Sequence, residues 1–289
     1  MSHLNNYTAP LRSIPETLGE IIRLGEGRAK QKFSSLLVLG LLAGAYIGLG
    51  GTLAIKVAGY LPLGAGSLTS LVFGLVFPLG LMLVIFGGAS LFTGEVMYMS
   101  CGLLRKSLKF SESIKVLLVS YSGNLLGSLA LAFLVLLGGN LLEINPDGTH
   151  PLADYAVRLS NTKTGLPFLP LFIRGIICNW LVCLAIFMSL EARGGVTKLV
   201  LMWPPITAFV ALGMEHSIAN MLFIPLGILH GESALYLNGS LPLALTATWE
   251  GFFIHNLFPV TLGNIVGGAL FVSVPYLLVY GGKRNDLHN

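Results

Sequence analysis

The sequence predicts an all-α integral membrane protein with six transmembrane helices in two inverted three-helix repeats, helices 2 and 5 being broken. Three observations carry that prediction. Of the 289 residues 54% are hydrophobic and 10% charged, with a mean hydropathy of +0.79, whereas an ordinary soluble domain carries about 25% charged residues. Apolar runs of roughly 20 residues, the length that crosses a bilayer, recur six times. A Gly-Asn motif recurs in the third run and the sixth. The 36 glycines fit the same solvent, because in lipid leucine against leucine gains little and small residues let helices approach closely.

Composition also excludes several classes. The net charge is +4, but the basic residues are scattered and no aromatic-basic module accompanies them, so no nucleic acid partner is expected. Cys101, Cys178 and Cys183 lie in or beside apolar segments without metal-like spacing and read as small buried hydrophobes. No metal, cofactor or disulfide is expected. An intramembrane metallohydrolase needs clustered ligands, yet Glu215-His216 has no second histidine one turn on and His255 lies at the far end of another span, so the chain does not read as an enzyme. Neither interrupted span carries Asn-Pro-Ala, which disfavours a water channel. A single mid-membrane histidine likewise disfavours an ammonium channel.

Residues 1–32 form a cytoplasmic N-terminal segment. Pro10, Pro15 and many charges leave no early apolar core of a cleavable leader. Within 16–32, Leu18, Ile21, Ile22 and Leu24 alternate with charges, which predicts a short helix on the bilayer surface. A single transmembrane domain then occupies 33–281, with repeats at 33–139 and 166–281, and 282–289 form a cytoplasmic tail. The spans fall near 33–57, 68–101, 113–139, 166–191, 197–227 and 253–281. The second and fifth exceed one straight crossing and hold GGASLFTGE at 87–95 and GMEHS at 213–217 in their middles, the pattern of broken helices.

Placing the N-terminus inside gathers most of the 17 Lys and Arg residues on the cytoplasmic side. It leaves Lys56, Arg158 and Lys163 outside, with Arg174 near or inside the fourth span. Both termini are therefore expected in the cytoplasm, with the protein multi-pass in the cell (plasma or inner) membrane. Gly123-Asn124-Leu125-Leu126-Gly127 in span three echoes Gly263-Asn264-Ile265-Val266-Gly267 in span six. Three spans per half is an odd number, so the halves insert in opposite directions and the breaks meet near the midplane. Non-helical backbone at that depth is tolerated where protein covers it or where it lines a cavity. The breaks are expected to line a pore.

Glu215 and His216 sit between TAFVALGM and IANMLFIPLGI, and an ionisable residue at such depth is a functional candidate by default. The bland alternative is a neutral buried histidine bonded to backbone, with Glu215 capping the following half-helix. Thr93 occupies the other break, where its hydroxyl could donate to an anion or cap a helix. Half-helix N-termini facing the centre would add positive partial charge and free N–H groups. Lys163, at the outer end of span four, reads by itself as a snorkelling interfacial lysine. Asn124, Asn179 and Asn264 are amides in apolar spans, with interhelical hydrogen bonding as the plain alternative. Asn238-Gly239-Ser240 fits a glycosylation sequon.

FVALGMEHSIANMLFIP around His216 resembles the central signature of formate/nitrite transporters. VFPLGLMLVIFGGASLFTGEVM, GNLLG, CNWLVCLAIF and LFPVTLGNIVGGALFV extend the resemblance over residues 15–282. It implies an aquaporin-like protomer in a lipid bilayer, assembled as a homopentamer, each protomer carrying a small anion substrate, with protons. By that resemblance His216 is the central pore histidine, Thr93 its partner and Lys163 the outer-vestibule lysine. Phe77 and Phe209 resemble the outer constriction, Leu81, Leu91 and Phe92 the inner one, and Asn179 and Asn264 polar positions near the cavity. Lys163 would attract a weak-acid anion and promote its protonation, because a bare anion in an apolar constriction is costly. Ser90 departs from the family's usual acidic residue, with Glu95 three residues beyond Phe92, which puts the anchoring of that loop in question. Formate is favoured slightly over nitrite, with hydrosulfide as a further choice. The rival from another class is a non-conducting membrane scaffold of the same fold.

Overall fold

The computed structural model describes residues 11–62, 65–146, 149–238 and 243–281. The first ten residues, Gly239-Ser240 of the sequon and the 282–289 tail lie outside the described residues. Among the described residues the regular elements are helices, joined by turns and loops, with an isolated bridge between Leu11 and Ala192.

Helix α1 (Ile14–Lys30) starts on a capping box. The Ser13 hydroxyl accepts from the Glu16 N–H, and the Glu16 carboxylate accepts from the Ser13 N–H at 2.7 Å. Pro15 suits the first turn, and Arg28 and Lys30 in the last turn complement the helix dipole. Its apolar side, Leu18 and Ile21, is buried, and the helix packs against α5 and α8.

The remaining elements are α2 (Phe33–Ala58), α3 (Ser67–Val76), α4 (Leu79–Phe86), α5 (Phe92–Leu104), α6 (Phe110–Leu137), α7 (Pro151–Thr164), α8 (Phe168–Glu191), α9 (Gly195–Ala211), α10 (Ser217–Asn238), α11 (Phe258–Gly268) and α12 (Val274–Tyr280). One π-helical turn, Gly251–Leu257, precedes α11 and another, Ala269–Ser273, joins it to α12. Among the described residues five stretches are long and apolar enough to cross a membrane: Phe33–Ala58, Ser67–Phe86, Phe110–Leu137, Phe168–Glu191 and Gly251–Tyr280; Gly195–Ala211 is a shorter apolar helix. Lys163, expected at the outer end of span four, lies in the last turn of a separate helix, α7, just ahead of α8.

Glycine sets which helices touch most closely. A Cβ at Gly44 of α2 would meet the Asn124 backbone of α6, and one at Gly127 of α6 would meet the Leu41 carbonyl of α2. The second half repeats this contact, with Gly175 of α8 against Val260 and Gly263 of α11 against the Phe172 carbonyl. Backbones this close gain dispersion contact where the hydrophobic effect contributes little.

Two elements end alike. After α4, Gly88 has φ 66°, and after α9, Gly213 has φ 68°. In each case the next N–H reaches back five residues, Ala89 to the Val84 carbonyl and Met214 to the Phe209 carbonyl, a Schellman closure that suits glycine. The chain then runs without helix to Phe92 and to Ser217, where α5 and α10 begin.

Candidate functional site

The segments ahead of α5 and α10 are held by the repeated asparagines. Asn124 accepts from the Phe92 N–H at 2.9 Å and donates to the Gly40 and Ser90 carbonyls. Asn264 accepts from the Ser217 N–H at 2.9 Å and donates to the Gly175 and Glu215 carbonyls. Each amide satisfies the first free N–H of one helix and ties the preceding loop to the helix packed behind it. Asn179 adds bonds from its amide to the Thr93 and Asn264 carbonyls. All three amides are buried and donate to backbone carbonyls, with Asn179 also accepting from the Cys183 thiol, and these bonds hold the loops in place.

These supports bring Thr93 and His216 together, 123 residues apart in sequence, with Thr93 Oγ1 3.0 Å from His216 Nε2. His216 is also the N-cap of α10. Its carbonyl accepts from the Asn220 N–H, and its Nδ1 accepts from the Ala219 N–H at 3.0 Å. A ring nitrogen that accepts carries no proton, so the neutral imidazole bears its hydrogen on Nε2, facing Thr93. The cap on α10 is therefore histidine, and Glu215 points elsewhere. Thr93 lies in the first turn of α5, one residue past the start, and the cap position there is Leu91.

Glu215 Oε1 accepts from Lys163 Nζ at 3.0 Å, and its Oε2 accepts from the Asn220 amide at 2.6 Å. Asn256 bonds both to the Lys163 carbonyl and to this cluster, from the π-helical turn before α11. The Lys163 ammonium also lies 5.8 Å from the centre of the Phe223 ring. The Lys163 and Glu215 side chains are only 11% and 3% exposed, so this is a buried ion pair.

A chamber of about 160 Å³ is lined by Lys163, His216, Asn220, Phe77, Phe209 and Phe223. The Phe77 and Phe209 rings meet edge to face with centroids 5.9 Å apart, and Phe209 stacks over the His216 ring at 5.9 Å. A second chamber, about 270 Å³, is lined by Arg28, Leu91, Glu95, Tyr98 and Lys198 among others. Leu81 is buried one turn beyond Phe77 on the same helical face. Phe92 is turned away, its ring packed on Tyr121 of α6 at 4.9 Å, and it lines neither chamber.

The loop carrying Ser90 is anchored by a relocated carboxylate. Glu95 Oε1 accepts from the Ser90 hydroxyl at 2.7 Å and pairs with Arg28 Nε at 3.0 Å, while Arg28 also donates to the Ala89 carbonyl. Arg28 and Asn256 were not sequence candidates. Arg28 looks like any charge on an amphipathic helix, and the π-helical turn that directs Asn256 inward leaves no periodic signal. Asn220 could have been read from EHSIAN, one turn after His216.

Long apolar helices, with the starts of α5 and α10 brought together at Thr93 and His216 and a buried histidine in the wall of a chamber, fit a membrane channel or carrier for a small solute. The family model for formate/nitrite transporters matches residues 15–278, and the chain belongs to that family. It is 38% identical to the probable formate transporter of Methanothermobacter thermautotrophicus over 281 residues, 93% of this chain and 97% of that one. It is 37% identical to the nitrite transporter NirC of Escherichia coli, covering 81% of this chain and 80% of that one. A solved structure of a pentameric formate channel with formate bound superposes with a TM-score of 0.74 at 33% identity, covering 86% of this chain and 98% of that one. The protein is a multi-pass membrane transporter of small anions and not an enzyme.

Proposed function

We propose that each protomer carries formate, with nitrite close behind, along a path from the outer chamber past Phe77 and Phe209 to His216 and Thr93. The path continues by Leu81 and Leu91 to the inner chamber. The observation that carries this reading is the 3.0 Å approach of Thr93 Oγ1 to His216 Nε2 at the starts of α5 and α10. Two helix N-termini and two hydrogen-bond donors there converge on one buried point between chambers, which suits a desolvated anion.

In this reading the two halves are inverted repeats of three spans, with the second and fifth spans broken at 87–91 and 212–216. The matched roles of Asn124 and Asn264 support it. Lys163, paired with Glu215 in the wall of the phenylalanine-lined chamber, supplies a donor there, and desolvation at the phenylalanines favours the neutral acid, so flux is proton-linked at low pH. The protein is a homopentamer with both termini in the cytoplasm, in the cell membrane. The likeness to a pentameric channel supports the assembly.

Uptake into proteoliposomes of formate, nitrite and hydrosulfide across a pH series tests this. Formate and nitrite are expected to be taken up faster as pH falls, with proton movement alongside, and His216→Ala is expected to flatten that dependence. If His216→Ala leaves both rate and pH dependence intact, the central role of the histidine is wrong.

A further inference from the structure

Outside the chamber of Lys163 lies a wider cavity of about 440 Å³, between the end of α2 and the outer faces of α3 and α7. Tyr60, Thr69, Ser70, Asp154, Tyr155 and Arg158 are among its lining residues. Ser70 and Tyr155 also line the 160 Å³ chamber, so the two cavities share a wall.

The outer basic residues have different fates. Lys56 is held by Glu143, which also accepts from Tyr60, and Lys163 is buried against Glu215. Arg158 is exposed and forms no ion pair among the described residues. Its guanidinium, which interacts with the Asp154 carboxylate, is thus an outer cation exposed to an incoming anion. Arg158 precedes Lys163 by five residues on α7, about 7.5 Å along the helix axis.

We propose that this cavity is an antechamber that collects anions, with Arg158 as the recognition group for anions carrying two oxygens on one atom. A guanidinium presents two parallel N–H groups, which match the paired oxygens of a carboxylate or of nitrite and not a spherical anion such as hydrosulfide. The cavity is roomy enough for an anion that keeps part of its hydration, and the smaller, phenylalanine-lined chamber beyond Lys163 is where that water is lost. Asp154, one turn before Arg158 in the same wall, opposes the attraction and sets how strongly the antechamber holds its ligand. This rests on the reading that the Lys163 chamber belongs to the transport path.

The test is uptake of formate, nitrite and hydrosulfide from the outer side of proteoliposomes, at sub-saturating and saturating concentrations and at low and high ionic strength. Arg158→Gln is expected to lower sub-saturating formate and nitrite uptake about threefold to tenfold, while the saturating rate and hydrosulfide uptake stay unchanged. Arg158→Lys is expected to be intermediate, Asp154→Asn to shift uptake the opposite way, and high salt to close the gap between Arg158→Gln and the parent. An unchanged half-saturation concentration in Arg158→Gln, with the parent active, overturns the antechamber and leaves the path standing. A loss that persists at saturating formate and is not restored by lysine marks a structural role and also overturns it. A parent that moves no formate refutes the path and the antechamber together.

Discussion

His216 does two jobs with one ring, and the second fixes the first. By capping α10 through Nδ1 it commits Nε2 to face Thr93, so the hydrogen proposed to meet an anion is oriented by helix geometry. Lys163 and Glu215 obey a different constraint, because each is buried with the other's charge as its main compensation. Lys163→Met and Glu215→Gln are each expected to destabilise the fold, by about 3–5 kcal/mol for the variant that strands a charge. The double variant should recover much of that loss. Thermal unfolding of the three proteins in detergent checks this, and additive losses in the double variant would argue against a coupled pair. His216, Thr93 and Glu215 were legible in the sequence because ionisable and hydroxyl groups stand out in apolar spans. The contact of the Phe92 ring with Tyr121 was not legible, because it depends on how α5 packs against α6.

At the level of elements, the interruptions near 90 and 215 follow from a shared device. A left-handed glycine ends one helix, a short extended stretch follows, and an asparagine from a neighbouring helix binds the first N–H of the next. Asn264→Ala removes an acceptor and two donors from buried backbone, and is expected to destabilise by about 1–3 kcal/mol or more. Flux should fall further than stability alone explains, because Glu215 and Ser217 on either side of His216 lose their tether. Parallel measurement of unfolding and formate uptake separates the two effects, and Asn124→Ala should behave alike. Gly and polar residues inside long apolar runs revealed where helices stop. They could not reveal α7, whose amphipathic pattern looks like a connecting loop beside membrane spans, nor the π-helical turns, which depend on tertiary packing at Asn256 and Ser273.

Across the whole molecule, the polar groups are gathered inward while leucines such as Leu134, Leu137 and Leu278 cover the outside, a surface suited to lipid and to neighbouring copies. The hydropathy and the Gly-Asn repeat made this architecture legible, because lipid permits few ways to satisfy a backbone. Substrate choice is less legible, since the same donors serve several small anions. The central claim is that anions cross inside each protomer at the contact between Thr93 and His216. Thr93→Val keeps shape and removes the hydroxyl, so its formate flux in proteoliposomes tests the claim most directly. Losing one buried donor of roughly 1–3 kcal/mol predicts flux reduced about tenfold with assembly and unfolding temperature preserved. Flux equal to the parent at every pH would contradict it.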